Sequence, residues 1–286
     1  MAMTQALTRA VDRARTGGGH RAGTSGRRRG GAGGGWRGAV AAEWTKLWSL
    51  RSTWWGLAAA VALMAAMAFT LATSTVSNNT NAVPGDDMGV VSASGAAVGA
   101  LDMVQFVVLA VAILMITGEY ATGGIRATLQ CVPPRGRMLG AKAVVVAAVT
   151  FPLGVALNAA GTAVADPVLG RWGRLGAGEF AADALQSGAY LALAGVLVLG
   201  IGAVLRSTAA SLTAVFLFLM VVPMLLGGGD ESGLARKVSD SMPSSAGRYF
   251  MSGDGPYPQA AGLAILVAWT AAAVFGAVVV LRRRDA

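Results

Sequence analysis

The sequence has few charged residues and almost none of the side chains that usually bind metals. Charged residues make up 13% of the 286 positions, whereas an average soluble domain carries roughly 25%. There is one cysteine, Cys131, and one histidine, His20, which lies in a glycine-rich stretch. A single cysteine excludes a disulfide within the chain. The lone histidine argues against a histidine-based metal centre or catalytic triad.

Long apolar runs take the place of these residues. Hydrophobic residues account for 55% of the chain, and the mean hydropathy is +0.59. A helix needs about 20 apolar residues to cross a bilayer, whereas the strands of a membrane barrel are about 10 residues long and alternate in polarity. The runs here are long and do not alternate. We therefore predict an all-α membrane protein with six transmembrane helices, at about 54–73, 98–118, 141–165, 184–205, 208–227 and 260–281.

Positive charges are unevenly distributed between the two sides of this topology. With the N-terminus in the cytoplasm, 18 of the 23 lysines and arginines fall in cytoplasmic segments. The five on the outside are Arg171, Arg174, Arg236, Lys237 and Arg248. Cytoplasmic loops carry an excess of these residues. Both termini are therefore predicted to be cytoplasmic, and so is the segment between the second and third spans.

The first 38 residues differ in composition from the rest. They include "ARTGGGHRAGTSGRRRGGAGGGWRG" and lack the apolar core of a signal peptide. Glycine and arginine cannot bury enough surface to fold. We predict a disordered basic cytoplasmic tail over 1–38, held near anionic lipid headgroups, and a six-span domain over 39–286. Nucleic-acid binding is the alternative for the tail, but no aromatic residues alternate with its arginines, so no nucleic-acid partner is expected.

Polar residues are rare within the predicted spans. Asp102 is placed near the outer end of the second span, where water can reach it. Gln105 and Asn158 are expected to hydrogen-bond between helices, with a substrate contact as the alternative. Pro152 and Pro223 predict kinks in the third and fifth spans. The small residues of "GVLVLGIG" (195–202) predict close helix packing in the fourth span.

A polar helix is predicted just before the first span, in "VAAEWTKLWSLRSTWW" (40–55). Helical spacing divides its side chains into an apolar face of Val40, Trp44, Leu47 and Trp48 and a polar face of Glu43, Thr45, Lys46 and Ser49. Tryptophan prefers the membrane interface, and lysine suits the polar side. The pattern predicts a helix lying along the inner leaflet that turns into the first span near Arg51.

The segment between spans two and three, "GEYATGGIRATLQCVPPRGR" (118–137), is longer than a turn requires. Ile125 and Leu129 are four residues apart and predict a short amphipathic helix. Thr122 is a candidate cap at its start, and the proline pair that begins at Pro133 ends it.

These segments together resemble one protein family. "GIGAVLRSTAAS" (200–211) between spans four and five and "SMPSSAGRYF" (241–250) before the sixth span extend the resemblance over about 40–286. With both termini cytoplasmic, the chain is similar to the permease subunit of a type 2 ABC exporter, of the kind common in high-GC actinobacteria. The resemblance implies a bacterial plasma-membrane protein that pairs with a second permease subunit, as a homodimer or heterodimer. It also implies a pair of ATPase subunits docked beneath the membrane domain.

The resemblance also implies which residues meet the ATPase. The helix before span one becomes an interfacial elbow helix, with the site residues Glu43, Trp44, Lys46, Leu47 and Trp48. The helix between spans two and three becomes a cytoplasmic coupling helix, with the site residues Glu119, Tyr120, Ile125, Arg126 and Leu129. The alternative for Glu119 is a helix cap or an ion pair with a nearby arginine, and for Arg126 an interfacial cation. Short re-entrant or capping helices are implied within 228–259, around 234–247, with a flexible connector as the alternative.

No ATP site is evident in the sequence itself. A phosphate-binding loop requires G-x-x-x-x-G-K-[ST], and the nearest string, "GRMLGAKA" (136–143), has the wrong spacing. We therefore expect a transport subunit that is not an enzyme and has no cofactor, with ATP and Mg²⁺ bound by the partner ATPase. An ATP-independent channel or secondary carrier is the first alternative, although the spans hold few ionisable residues. An integral membrane enzyme is the second, although no cluster of His, Asp, Glu, Ser or Cys is evident at one membrane depth.

Overall fold

All six predicted spans lie inside long helices of the computed structural model, which describes residues 35–81, 83, 85–124, 135–228 and 233–283. The α-helices, in chain order, are α1 Trp36–Ser49, α2 Arg51–Asn78, α3 Ala93–Ala121, α4 Arg135–Leu169, α5 Ala177–Leu205, α6 Thr208–Phe216, α7 Val222–Gly227, α8 Leu234–Asp240, α9 Pro243–Ser252 and α10 Gln259–Arg283. Six of the helical segments are long and apolar enough to cross a membrane, with α6 and α7 forming one of them. The prediction of a multi-pass helical membrane protein is confirmed.

The helix α5 lies at the centre of the bundle and packs through glycine. A Cβ atom on Gly195 would lie 2.9 Å from Val146, and one on Gly200 would lie 2.9 Å from the backbone of Ala273. These distances are too short for any larger residue, so α4 and α10 approach the backbone of α5 directly. The close packing predicted for 195–202 is confirmed.

Polar contacts define the two ends of the bundle. At one end, which we name the Lys142 end, Lys142 of α4 contacts Glu119 of α3. At the other, the Asp102 end, strand β1 (Val91–Ser92) pairs in parallel with strand β2 (Gly173–Arg174). This two-residue pair is a small departure from an all-α fold. The helices α5 and α10 run in the same direction, since Leu193 meets Thr270 and Gly200 meets Ala273 further along. The described chain therefore begins and ends at the Lys142 end.

The segment before the last span is helical and well packed. Pro243 is at the first position of α9, where its missing N–H costs nothing. Gly247 of α9 lies against the ring of Tyr190, and the backbone of Ala246 lies against Gly262 of α10. The hydroxyl of Tyr257 donates to the carbonyl of Asp240 at 2.5 Å. The expected short helices are present, and the alternative of a flexible connector is wrong.

The two predicted kink positions differ in the structure. The fifth span contains a π-helix, Leu217–Val221, directly before α7. Pro223 lies at the first turn of α7 and has no N–H for the carbonyl one turn earlier, so regular α-helical bonding is interrupted here. The helix α4, in contrast, continues through Pro152 and Pro167.

The polar residues inside the spans bond between helices, as predicted. The hydroxyl of Tyr190 donates to Oε1 of Gln105, and Nδ2 of Asn158 donates to Oγ of Ser187 at 3.2 Å. Of the predicted disordered tail, residues 1–34 lie outside the described residues. Its last residues belong to α1, which begins at Trp36.

Candidate functional site

The helix α1 buries an acidic residue. Ala39, Glu43 and Leu47 recur at helical spacing and are the buried residues of α1. Glu43 is only 4% exposed, whereas Trp44 is 43% exposed. The prediction that Glu43 lies on an outward polar face, opposite Leu47, is therefore wrong. Glu43 turns inward because α4 presents a cation to it.

That cation is Lys142, the centre of a group that we name the ion cluster (Glu43, Lys46, Glu119 and Lys142). The Nζ atom of Lys142 lies 2.5 Å from Oε2 of Glu43 and 2.8 Å from Oε1 of Glu119. The Nζ atom of Lys46 lies 3.0 Å from Oε1 of Glu43 and 2.8 Å from Oε1 of Glu119. Two acids and two lysines thus balance in charge at the Lys142 end.

Lys142 is completely buried and completely bonded. Its exposed fraction is 0%, and a buried ammonium is very costly unless it is paired. A lysine carries three N–H donors, and Lys142 directs them at Glu43, Glu119 and the backbone carbonyl of Met115, which is 3.3 Å away. Removing either acid would leave a buried charge without its counterion.

Lys46 closes the ion cluster on its accessible side, with a side chain that is 45% exposed. Partial burial opposes its charged form, but the hydrogen bonds to Glu119 and Glu43 outweigh this effect and raise the pKa of Lys46 above its usual value. Lys46 is therefore a stable cation at neutral pH.

The ion cluster joins three elements and both flanks of one loop. Glu43 and Lys46 belong to α1, Glu119 to the last turn of α3, and Lys142 to the first part of α4. The fifth span is tied to the same end, since Oγ1 of Thr208 donates to Oγ1 of Thr117 at 2.9 Å. The segment between α3 and α4 therefore starts and ends on one bonded unit.

The predicted coupling-helix residues divide between described and undescribed parts of the chain. Glu119 and Tyr120 lie in the last turn of α3, which ends with Thr122 as its C-cap. Oγ1 of Thr122 donates back to the carbonyl of Gly118 at 2.9 Å, and Gly123 has a φ of +71°. Thr122 therefore ends the second span and does not begin a new helix. Ile125, Arg126 and Leu129 lie outside the described residues.

The elbow residues form an aromatic row at the turn from α1 to α2. The ring centroids of Trp44 and Trp48 are 5.8 Å apart, and those of Trp48 and Trp54 are 5.1 Å apart. Oγ1 of Thr53 donates to the carbonyl of Leu47 at 2.8 Å and secures the turn. Trp54 is 58% exposed, so the row presents indole rings outward, a position typical of residues at a membrane interface.

Lys142 is the functional residue that the sequence analysis missed, since it entered only as one of the cytoplasmic positive charges. It is the only charged residue in 141–164, inside the predicted third span. A charged residue within a span usually has a partner, and Glu119 lies just across the connecting segment. For Glu119 itself, an ion pair with an arginine was the expected alternative, and the observed partners are lysines.

The ion cluster offers no site for a metal, because its acids are already engaged by lysines. No group of three or more His, Cys, Asp or Glu residues able to hold a metal ion occurs in the part of the chain that the structure describes. Comparison of the sequence with protein-family models gives no match, and comparison with curated proteins gives none either.

Proposed function

We propose that this chain is the transmembrane permease subunit of an ATP-driven ABC exporter in the bacterial plasma membrane. It would form the substrate pathway with a second permease subunit and couple to a separate ATPase subunit. The observation that carries the proposal is the ion cluster, which bonds the helix before span one to both flanks of the segment between spans two and three. In the exporter family that the sequence resembles, these two elements receive the ATPase.

The ion cluster explains how a force on that segment would reach the membrane helices. Glu119 ends α3 and Lys142 begins α4, and their side chains are in contact. A pull on the segment between them therefore moves both helices together, because the contact prevents them from separating. Glu43 transmits the same movement to α1. Closure of an ATPase dimer below would thus displace three helices as one body.

The distribution of charge supports an orientation with the Lys142 end in the cytoplasm. The cations assigned to the outside by sequence belong to elements at the Asp102 end: Arg171, Arg174, Arg236, Lys237 and Arg248. Lys46 and Lys142 lie at the opposite end. This arrangement agrees with the excess of positive charge expected on the cytoplasmic side.

The depth of the ion cluster bears on the alternative of a secondary carrier. Lys142 lies ten residues before the middle of α4, or about 15 Å along the axis at 1.5 Å per residue. The hydrocarbon core extends only about 15 Å from its own centre. The ion cluster thus lies at the membrane boundary, whereas carriers place their coupling-ion sites near the midplane. The position favours a docking role.

The test is reconstitution with an ATPase subunit encoded by a neighbouring gene. The full chain and the ATPase are purified together into lipid nanodiscs, and ATP hydrolysis is measured with the wild type and with Glu119→Gln and Arg126→Glu. We expect a stable complex whose ATP turnover falls about tenfold in each variant, a loss of about 1.4 kcal/mol of coupling. Lys237→Gln, an exposed change at the other end, is the matched control and should keep full turnover.

Two results would contradict the proposal. The first is full ATP turnover in both variants, which would remove the docking assignment. The second is transport by the chain alone, in liposomes without nucleotide, which would establish the channel or carrier alternative.

A further inference from the structure

A cavity of about 430 Å³ lies at the Asp102 end, between α3, the fifth span, α8 and α9. This volume is in the range of about 300–1,000 Å³ that is usual for small-molecule sites. One side is apolar and is formed by Phe106, Leu219 and Met220. The other side carries Asp102 and Arg248. The cavity is therefore amphipathic, with both signs of charge on one wall.

The two charges on this wall have no protein partners. Arg236, which also lines the cavity, is engaged by Asp240 at 3.4 Å and by the carbonyl of Gly227 at 2.8 Å. Asp102 and Arg248 are different: within the described ranges, neither side chain makes an ion pair or a hydrogen bond, with each other or with any other group. The guanidinium of Arg248 lies only over the ring of Tyr249, at 5.5 Å.

The depth of Asp102 makes its lack of a partner costly. It lies five residues before the middle of α3, or about 8 Å along the axis, and thus closer to the centre of the span than the sequence suggested. A carboxylate inside the hydrocarbon region is expensive and usually marks a functional site. The fifth span supplies Leu219 and Met220 from its π-helix, and such irregular turns recur at functional sites.

We propose that this cavity binds an amphipathic zwitterion. The positively charged group of the ligand pairs with Asp102, its anionic group pairs with Arg248, and its hydrocarbon part lies along Phe106, Leu219 and Met220. Met224 lines the cavity and is 74% exposed, so the cavity opens beside the apolar surface of α7, and an amphiphile can enter from the bilayer. That this ligand is the exported cargo rests on the proposed function, whereas its binding does not.

The two charges together select a zwitterion. A simple anion would pair with Arg248 but be repelled by Asp102, and a simple cation would meet the reverse situation. Only a ligand with both charges neutralises both side chains, and it gains two charge-assisted hydrogen bonds. A phosphoethanolamine headgroup has this chemistry, whether it belongs to a bilayer lipid or to a soluble single-chain amphiphile.

The test is a lipid titration of the full chain in a neutral maltoside detergent, read by native mass spectrometry. The probes share the same acyl chains and differ in headgroup: phosphatidylethanolamine, anionic phosphatidylglycerol and cationic ethylphosphatidylcholine. We expect phosphatidylethanolamine to bind about tenfold more tightly than either charged lipid, because each lost charge-assisted bond costs about that factor.

The variants turn this preference into a sharper test. Asp102→Asn leaves only the guanidinium and should shift the preference to phosphatidylglycerol. Arg248→Gln leaves only the carboxylate and should shift it to the cationic lipid. The controls Asp87→Asn and Lys237→Gln remove the same charges from exposed positions outside the cavity lining, and they should leave the preference unchanged. Equal binding of all headgroups by the wild type, or a uniform loss for all probes in both cavity variants, would overturn the proposal.

Two further arms identify the source of the ligand. Tighter binding of the two-chain lipid indicates a bilayer lipid, and tighter binding of lysophosphatidylethanolamine indicates a soluble amphiphile; both support the site. Equal binding of chainless glycerophosphoethanolamine would overturn it, since the apolar wall would then contribute nothing. Because no ATPase or nucleotide is present, a negative result leaves the exporter proposal intact, and failure of ATP coupling leaves the binding result intact.

Discussion

The two ends of the bundle contain the same kinds of charged residue and use them in opposite ways. At the Lys142 end, all four members of the ion cluster are held in ion pairs. At the Asp102 end, Asp102 and Arg248 face a common cavity without such a contact in the described chain. A satisfied charge network holds helices together, whereas unsatisfied charges of opposite sign remain available to a ligand. The contrast assigns force transmission to one end and recognition to the other.

Packing accounts for this difference. At the Lys142 end, α1 lies directly on α4, and Leu47 and Ala39 are buried beside Glu43, so the acid is brought to the lysine. At the Asp102 end, α8 and α9 are tied to the ends of the spans but leave the cavity open between them. Ser239 of α8 donates to the carbonyl of Pro223 at 2.8 Å, which holds the cavity at its present width.

The largest expected effect follows from removing the central cation. Lys142→Met leaves Glu43 and Glu119 beside each other without their buried counterion, and breaking a buried pair in this way costs about 3–5 kcal/mol. We expect that loss in the free energy of unfolding, measured by titration with sodium dodecyl sulfate in mixed micelles. Arg137→Gln, an exposed change on the same helix, should stay within about 0.5 kcal/mol. Equal stability of the two variants would mean that the ion cluster does not hold this end together.

The second effect concerns the Asp102 end, where apolar packing takes the place of ion pairs. In Gly247→Ala, the new Cβ would overlap the ring of Tyr190, so α9 must shift. Overpacking of this kind costs about 1–3 kcal/mol, measured in the same titration. Gly276→Ala is the matched control, because no atom lies within 4 Å of a Cβ at that position. If Gly247→Ala were as stable as the control, α9 would not be packed on α5.

A smaller effect is expected at the exposed edge of the ion cluster. Lys46→Met should cost at most about 1 kcal/mol, because solvent screens exposed pairs and Lys142 still holds both acids. Since the pKa of Lys46 is raised on folding, its contribution is fully present below the unfolded value of about 10.4 and is lost as the pH rises through the folded value. The difference in melting temperature between wild type and variant should be constant from pH 7 to pH 9 at about 1 kcal/mol or less. A difference that vanished within that window would contradict the raised pKa.

The smallest effect is expected where charges are unpaired. Asp102→Asn and Arg248→Gln remove no ion pair or hydrogen bond of the described chain, so the free energy of unfolding should change by less than about 0.5 kcal/mol. Asp102→Asn should even stabilise slightly, since an isolated buried carboxylate is replaced by a neutral amide. Both variants are compared with Lys142→Met in the same micelles. A loss similar to that of Lys142→Met would erase the contrast between the two ends.

Local patterns predicted the elements well and the faces of one element badly. The span windows needed only local hydropathy, and each lies within an observed helix. The face of α1 failed because helical spacing sorts residues by polarity and cannot indicate that a polar residue has a buried partner. Thr122 failed for a related reason: a threonine hydroxyl suits either end of a helix, and here Gly123, with its positive φ, made it an end.

The sequence by itself determined the number, the position and the alternation of the membrane helices, because each depends on about 20 neighbouring residues and their hydropathy. Only the tertiary structure decided that Glu43 meets Lys142, 99 positions away in the chain, and that Asp102 and Arg248 share a cavity without touching. Such pairings depend on how closely whole helices approach one another, and close approach is a property of the packed bundle that no single segment contains.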